Sequence, residues 1–316
     1  PPGSDRAGVV RRCPTRDDGL MGEIRAIDAT EVDAVLDLIT EQQADPATAT
    51  CYLGTDRNDL RLELEDLGSA WPDSVLVAID DGRMVGATLA DTDLELGRSW
   101  IFGPWVTTGW STWARPLLEA AVATCPPEIL AHEISADLAN VRMAALAEHL
   151  GWKASEPNHV FVLSADATAD WPPDDPRVRL PRAGDFDAID PLHNAEFPDT
   201  YLPTRQMVLD GIAGERIVAV SEAGDGRFLG YASGRVQPDG AGYLDFIAVD
   251  PAARGTGAGL GLLVTISRRI VAASPQHNVN LTVQQPRSAA VALYRKLGFE
   301  LETTIVGYSS PTLNRM

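Results

Sequence analysis

Apolar and polar positions follow two rhythms along the 316 residues: a period of two over short stretches and a period near 3.6 between them. The second half shows both most clearly. Alternation predicts a short strand at 178–180, a hairpin of 217–221 with 230–236, and further strands at 243–249, 279–284 and near 303–308. Helical spacing predicts helices at 183–194, 259–273 and 288–297. On the last of these, Ala290, Leu293, Tyr294 and Leu297 fall on one stripe, and Gly298 supplies a C-terminal stop. Strands and helices mixed in this order predict a mixed α/β (α+β) sheet protein.

The first half repeats the pattern. Val77-Ala78, Gly82-Arg83 and Gly86 parallel Val218-Ala219, Gly226-Arg227 and Gly230. Leu146 to Trp152 parallels Leu293 to Phe299, and Asp33-Ala34-Val35 parallels Asp187-Ala188-Ile189. The offsets are 144 from Arg83 to Arg227, 147 from Gly151 to Gly298 and 154 from Asp33 to Asp187. A domain-sized period means a duplicated domain, not a solenoid. The expected division is a loose leader over 1–21, with Met21 an alternative start, and a first domain over 22–164. A stiff Pro/Asp-rich linker follows over 165–176, then a second domain over 177–316.

The densest chemistry lies at Leu244 to Leu263. It reads as a buried strand, a turn, a glycine-rich loop and an apolar helix. Bare N–H groups and the positive end of a helix dipole then converge on one point, which suits an anion such as phosphate. A P-loop would end in Gly-Lys-Ser/Thr, and Arg254 to Gly261 has no lysine. A dinucleotide fingerprint needs G-x-G-x-x-G, whereas these glycines alternate at 255, 257, 259 and 261. A tight strand-to-helix turn with no ligand is the plain alternative.

The spacing of Arg254, Gly257 and Gly259 resembles the R/Q-x-x-G-x-G/A signature of the GNAT superfamily of acyl-CoA-dependent acetyltransferases. The segment Arg287 to Phe299 resembles that family's second motif, N-x-x-A-x-x-L-Y-x-x-x-G-F, with Arg287 where asparagine is frequent. The resemblance implies two tandem GNAT-like acyl-CoA N-acyltransferase domains, with acetyl-CoA as co-substrate. It implies that strands 243–249 and 279–284 splay to admit pantetheine, whose amides pair with Ile247, Ala248 and Val249. Phosphates would meet Arg254, Gly255, Thr256, Gly257, Ala258 and Gly259, with Arg287 close by. The implied reaction is direct attack of a primary amine of a small molecule or peptide on the thioester. A non-catalytic acyl-CoA-binding or scaffold protein on the same fold is the alternative. Tandem architecture also resembles mycothiol synthase and some antibiotic or peptide acyltransferases, and no residue picks among them.

Four residues are candidates for the chemistry. The resemblance places Tyr294 beside the thioester sulfur as proton donor to the leaving thiolate, with an aromatic on the core stripe as the alternative. Asp245 and Glu196, the latter after the first helix, are candidate bases, with Tyr243 on the same strand face as Asp245 a further one. Asp245 equally suits a structural hydrogen bond, and Glu196 a surface loop.

The halves are chemically unequal. One glycine, Gly109, stands where the second half has four, and Trp100, Trp105, Trp110 and Trp113 crowd the turn. Ala147 occupies the place of Tyr294, while Asn140 keeps the family's asparagine. The first half therefore reads as a degenerate GNAT-like domain without its cofactor loop. Its indoles are expected to fill the vacated groove or to line the domain interface.

Composition narrows the setting. A formal charge of −19 opposes nucleic-acid binding and favours a cationic amine by steering, or reflects a diffuse, soluble surface. No stretch approaches the length of a membrane span, and no signal-peptide core is apparent. Cys13, Cys51 and Cys125 lack metal or redox spacing, which points to a reduced cytoplasmic setting. Five scattered histidines argue against a metal site. A monomer or homodimer is expected.

Overall fold

The computed structural model describes residues 22–50, 53–67, 70–198, 200 and 202–311, with the backbone of a two-residue strand at Arg11–Arg12. The rest of the leader expected over 1–21, together with Cys13 and Cys51, lies outside the described residues. Contacts divide the chain into two compact units, residues 1–157 with 304–316, and residues 158–303.

The first unit contains β1 (Arg11–Arg12), β2 (Glu23–Ala26), α1 (Val32–Gln43), α2 (Arg57–Glu65), α3 (Trp71–Ser74), β3 (Leu76–Asp80), β4 (Arg83–Asp93), β5 (Arg98–Val106), α4 (Trp110–Thr124), β6 (Ala131–Asp137), α5 (Val141–His149) and β7 (Lys153–Ala154). Antiparallel pairing joins β2, β3, β4 and β5, and β5 runs parallel to β6. Val35, Ile39, Leu60 and Leu64 of α1 and α2 pack with Val77, Leu89 and Trp105. Trp113 and Leu117 of α4 pack with Ala78 and Val106.

The second unit contains β8 (Asn158–Ser164), β9 (Val178–Arg179), α6 (Phe186–Glu196), α7 (Thr204–Ala213), β10 (Ile217–Glu222), β11 (Phe228–Val236), β12 (Gly242–Val249), α8 (Ala258–Ala273), β13 (Asn278–Gln284) and α9 (Ser288–Lys296). Its sheet runs β8-β13-β12-β11-β10-β9, antiparallel except for the parallel pair β12–β13. Ile189, Met207 and Val208 of α6 and α7 cover Val218, Tyr231, Phe246 and Ala248. Leu262, Leu263 and Ile266 of α8 cover Ala219, Ala232, Leu244 and Leu281.

The units do not follow the boundaries expected from sequence. β8, placed in the first domain by its position, pairs with β13 from Asn158↔Gln284 to Ser164↔Asn278. Its inward alternation puts Phe161 and Leu163 into the second core. The last strand, β14 (Glu300–Ser309), pairs instead with β6, from Ile305↔Asp137 to Ser309↔Glu133, and adds Val306 and Tyr308 to the first core. Each unit thus takes a strand from the other half of the sequence.

Residues 165–176 are also more than a spacer. Trp171 stacks on Phe299 and donates its indole N–H to the carbonyl of Leu297 at 2.9 Å. Arg268 on α8 bonds the Asp174 carboxylate at 2.9 Å and the Trp171 carbonyl at 3.0 Å. The segment lies along the second unit, fastened by an indole and an ion pair.

Candidate functional site: a cavity between parted strands

The parallel ladder between β12 and β13 is short. It holds Tyr243↔Asn280 and Leu244↔Leu281 and goes no further. The parting begins at Asp245. Against β11, Leu244 pairs with Gly234 and Phe246 with Ser233, so Asp245 is an extra residue in β12, a β-bulge. Beyond it the strands separate around a cavity of about 730 Å³, lined among others by Ile247, Val249, Thr282, Gln284 and Tyr294. From Ile247 to Val249 that edge of β12 carries no ladder to β13, which gives an extended ligand a strand to lie along.

The glycine-rich loop stands at one end of this cavity, which Gly259 lines. Asp250 accepts from the amide of Ala252 at 2.8 Å and starts a single 3₁₀ turn over Pro251–Ala253. Gly255 and Gly257 then take φ of 79° and 84°, a left-handed conformation that costs little only for glycine. Gly257 is the N-cap of α8, so the first-turn N–H groups that follow have no intrahelical acceptor. A Cβ at Gly259 would lie 3.2 Å from Val249, so its absence lets the helix start close against the strand end. Thr256 caps the turn through its hydroxyl, which donates to the Ala253 carbonyl at 2.7 Å.

Tyr294 is 6 % exposed and lines the cavity from α9, with its ring among those of Phe161 and Phe299. Burial pushes its phenol up to about 12, against a smaller downward pull from Arg287. The hydroxyl therefore stays protonated at neutral pH. Leu293 lines the same cavity, so adjacent helical positions flank the opening together.

Both candidate carboxylates reach the cavity, and both are engaged. Asp245 has a fully buried side chain. One of its oxygens accepts from Arg216 and the other faces Arg235 at 3.5 Å, an ion pair rather than a hydrogen bond. Glu196 meets Arg254 at 2.7 Å through one oxygen and Arg287 at 3.6 Å through the other. The arrangement joins three residues expected at the site, Glu196, Arg254 and Arg287, in one cluster. Sequence reading missed Arg216 and Arg235, which follow no motif.

A further unpredicted feature fixes the cavity wall. His193 on α6 is fully buried, with Nδ1 2.5 Å from the Tyr231 hydroxyl and Nε2 3.0 Å from Thr200 and 3.2 Å from the Leu202 carbonyl. A carbonyl only accepts, so Nε2 carries the hydrogen and Nδ1 accepts from the tyrosine. Burial lowers the imidazole below its ordinary range and keeps it neutral. This histidine pins Thr200, which with Phe197 lines the opening.

The corresponding place in the first unit is closed. There the β5–β6 ladder ends at Ile101↔Ile134, and the strands part in the same way. Residues 49–50 fill the gap. Thr50 bridges to Ala136, its hydroxyl accepts from the amide of Gly103 at 3.1 Å, and the Ala49 carbonyl accepts from Asp137 at 3.3 Å. Asn140 is consumed locally, capping α5 through Met143 at 3.1 Å and donating to Ala49 at 3.1 Å. The indoles of Trp105 and Trp113 do not fill the groove as expected. They are 0 % and 2 % exposed in the core of their own unit, and Trp113 takes space left by Gly22.

Among the described residues no group of three or more His, Cys, Asp or Glu could hold a metal ion, and no helix is long and apolar enough to cross a membrane. Residues 186–299 match the family model described as Acetyltransferase (GNAT) family. Mycothiol acetyltransferase of Mycobacterium sp. (strain JLS) is 35% identical over 89 residues, 27% of this chain and 29% of that protein, so the chain aligns with under a third of the relative's length. A GCN5-related N-acetyltransferase from Sphaerobacter thermophilus superposes with a TM-score of 0.64 at 18% identity, covering 93% of this chain and 98% of the other. A tandem GNAT protein from the clavulanic acid biosynthesis pathway gives 0.58 at 16% identity, covering 92% and 98%. Parted strands, a glycine loop opening a helix, and a matched stretch that contains both lead to one conclusion: the chain carries a GNAT acetyltransferase domain over residues 186–299, within a tandem GNAT fold.

Proposed function

We propose that the second unit is an acetyl-CoA-dependent N-acetyltransferase acting on a primary amine of a small molecule or peptide. The observation that carries the reading is the convergence on one cavity of two parted parallel strands, a helix N-terminus and a protonated phenol. The residues suit acetyl-CoA. Glycines at 255, 257 and 259 keep side chains out of the loop, and the cavity of about 730 Å³ continues from it along β12. Arg254, Gly255, Thr256, Gly257, Ala258 and Gly259 would hold the phosphates. The backbone of Ile247, Ala248 and Val249 would hold the pantetheine amides, and Arg287 would flank them. When bound, acetyl-CoA supplies an activated acyl thioester.

The chain's own residues then have separate tasks. Tyr294 offers a hydroxyl donor to the charge that develops on the leaving sulfur. The bulge at Asp245 keeps the strands apart, and the arginines around it hold that carboxylate. Thr282, on the opposite cavity wall, accepts from the Tyr243 hydroxyl at 2.9 Å. With both oxygens of Asp245 and of Glu196 facing arginines, the amine's proton leaves through water. The charge of −19 is then a property of the surface at large, since each cavity carboxylate is balanced by two guanidiniums. A cytoplasmic setting and a monomer or homodimer complete the proposal.

The test is a panel of amines with acetyl-CoA and the full chain, read as free thiol released. Thiol release that depends on the amine and yields its N-acetyl derivative is expected. Binding of acetyl-CoA with no release across the panel would replace this reading with a non-catalytic acyl-CoA-binding protein.

A further inference from the structure

The glycines of the loop region do not share one task. Gly261, the fourth, sits inside α8, and a Cβ there would lie 2.3 Å from Oδ2 of Asp175 and 2.7 Å from its Cβ. That glycine is a seat for Asp175, which comes from the acid-rich segment before β9. Asp175 in turn holds the Arg177 guanidinium. Oδ2 accepts from Nη2 at 2.7 Å and Oδ1 from Nε at 3.0 Å, and Oδ1 also accepts from the Arg177 amide at 2.9 Å. The third nitrogen, Nη1, donates to the Thr256 carbonyl at 3.3 Å. Nη2 lies 3.6 Å from the place a Cβ would take on Gly257, the N-cap of α8.

A planar guanidinium is therefore braced against the glycine loop from outside both sequence motifs. Its side chain is 34% exposed, so it is reachable from solvent. Three of its five N–H groups are directed at Asp175 and Thr256, which leaves two. Bracing by Asp175 fixes the rotamer of a side chain that otherwise loses much freedom on binding an anion.

We propose that Arg177 is an additional phosphate-binding residue of this chain, presenting its guanidinium beside the loop to a phosphate group of CoA. The proposal rests on the acyl-CoA reading above and adds a residue to it. The bracing carboxylate neutralises part of the charge, so the effect is that of one partly exposed charge-assisted hydrogen bond. Affinity for CoA should fall about 5- to 20-fold when it is removed.

The experiment is calorimetry on the full chain with CoA, 3′-dephospho-CoA and pantetheine, for the wild type, Arg177→Met and Arg177→Lys, with thermal melts of each protein. In Arg177→Met, CoA affinity should fall and pantetheine affinity should not. Equal loss with CoA and dephospho-CoA identifies the pyrophosphate as the partner, and loss with CoA alone identifies the 3′-phosphate. Either result supports the proposal. Unchanged CoA affinity, or equal loss for CoA and pantetheine, overturns it. If Arg177→Met does not fold, Arg177→Lys decides by the same CoA-to-pantetheine ratio, because lysine keeps the charge and loses the fork. A wild type that binds none of the three would sink the acyl-CoA reading itself, a result distinct from a silent Arg177.

Discussion

Replacing Tyr294 by Phe removes one oxygen from the cavity wall, and the size of the effect follows from the burial of the ring. Burial puts the phenol at about 12. An ordinary thiol titrates near about 8.5. Complete transfer of the phenolic proton to a thiolate is then uphill by about 3.5 units, or about 5 kcal/mol. In the proposed reaction the hydroxyl would therefore contribute mainly as a donor to the charge growing on sulfur, with water completing the transfer. A hydrogen bond to a charged group stabilises by about 1.5–3 kcal/mol, equivalent to about 10- to 150-fold in rate. Tyr294→Phe should lower kcat by about 10- to 100-fold, at the weak end of general acid catalysis. Acetyl-CoA affinity should stay within about twofold, because the ring contacts with Phe161 and Phe299 survive. The assay pairs steady-state kinetics, using whichever amine the panel identifies, with a calorimetric titration of acetyl-CoA. An unchanged kcat would remove Tyr294 from the chemistry. A loss of affinity larger than the loss of kcat would make its hydroxyl a cofactor contact.

Three further outcomes are expected. Asp245→Asn should destabilise the second unit by about 3 kcal/mol in urea melts, because it strands the buried Arg216; full stability with lost kcat would instead make Asp245 the base. Gly261→Ala should gain about 1 kcal/mol of helix propensity yet lose more by unseating Asp175, for a net destabilisation of about 1 kcal/mol and weaker CoA binding; a more stable variant with unchanged binding would refute the seat. The raised phenol of Tyr294 contributes stability that is complete below its ordinary pH of about 10 and is lost as pH rises toward about 12. Two units correspond to about 2–3 kcal/mol, so unfolding at pH 9 and 12 should show a steeper alkaline loss in the wild type than in Tyr294→Phe.

Most elements of the second unit were legible because their hydrophobic rhythm is strong and local. β10 to β13, α8 and α9 fall within a few residues of the stretches the pattern predicts. The helix Thr204–Ala213 was missed because Gly211 interrupts its interior. Gly211 is there for contact, since a Cβ would come within 2.6 Å of Val218. The exchange of β8 and β14 was not legible, because alternation tells which face of a strand is buried and not which strand it pairs with. A cut before residue 166 would accordingly remove Phe161 and Leu163 from the second core. The motifs led to Gly259 and Tyr294, which line the cavity, and to the loop that carries Arg254 and Gly257. Arg177 was hidden in a segment whose acids and prolines read as a spacer, and the closing of the first groove by Ala49 and Thr50 depends on contacts far apart in sequence.

The central claim is that the second unit alone holds acetyl-CoA while the first has closed its groove with its own backbone. Calorimetric titration of the full chain with acetyl-CoA, repeated on Gly257→Val, tests it most directly. Gly257 has φ of 84°, so valine there forces the loop to rebuild as well as placing a side chain at the proposed phosphate site. One site per chain, abolished by the substitution, is the expected result. Two equivalent sites, or one site indifferent to Gly257→Val, would contradict it.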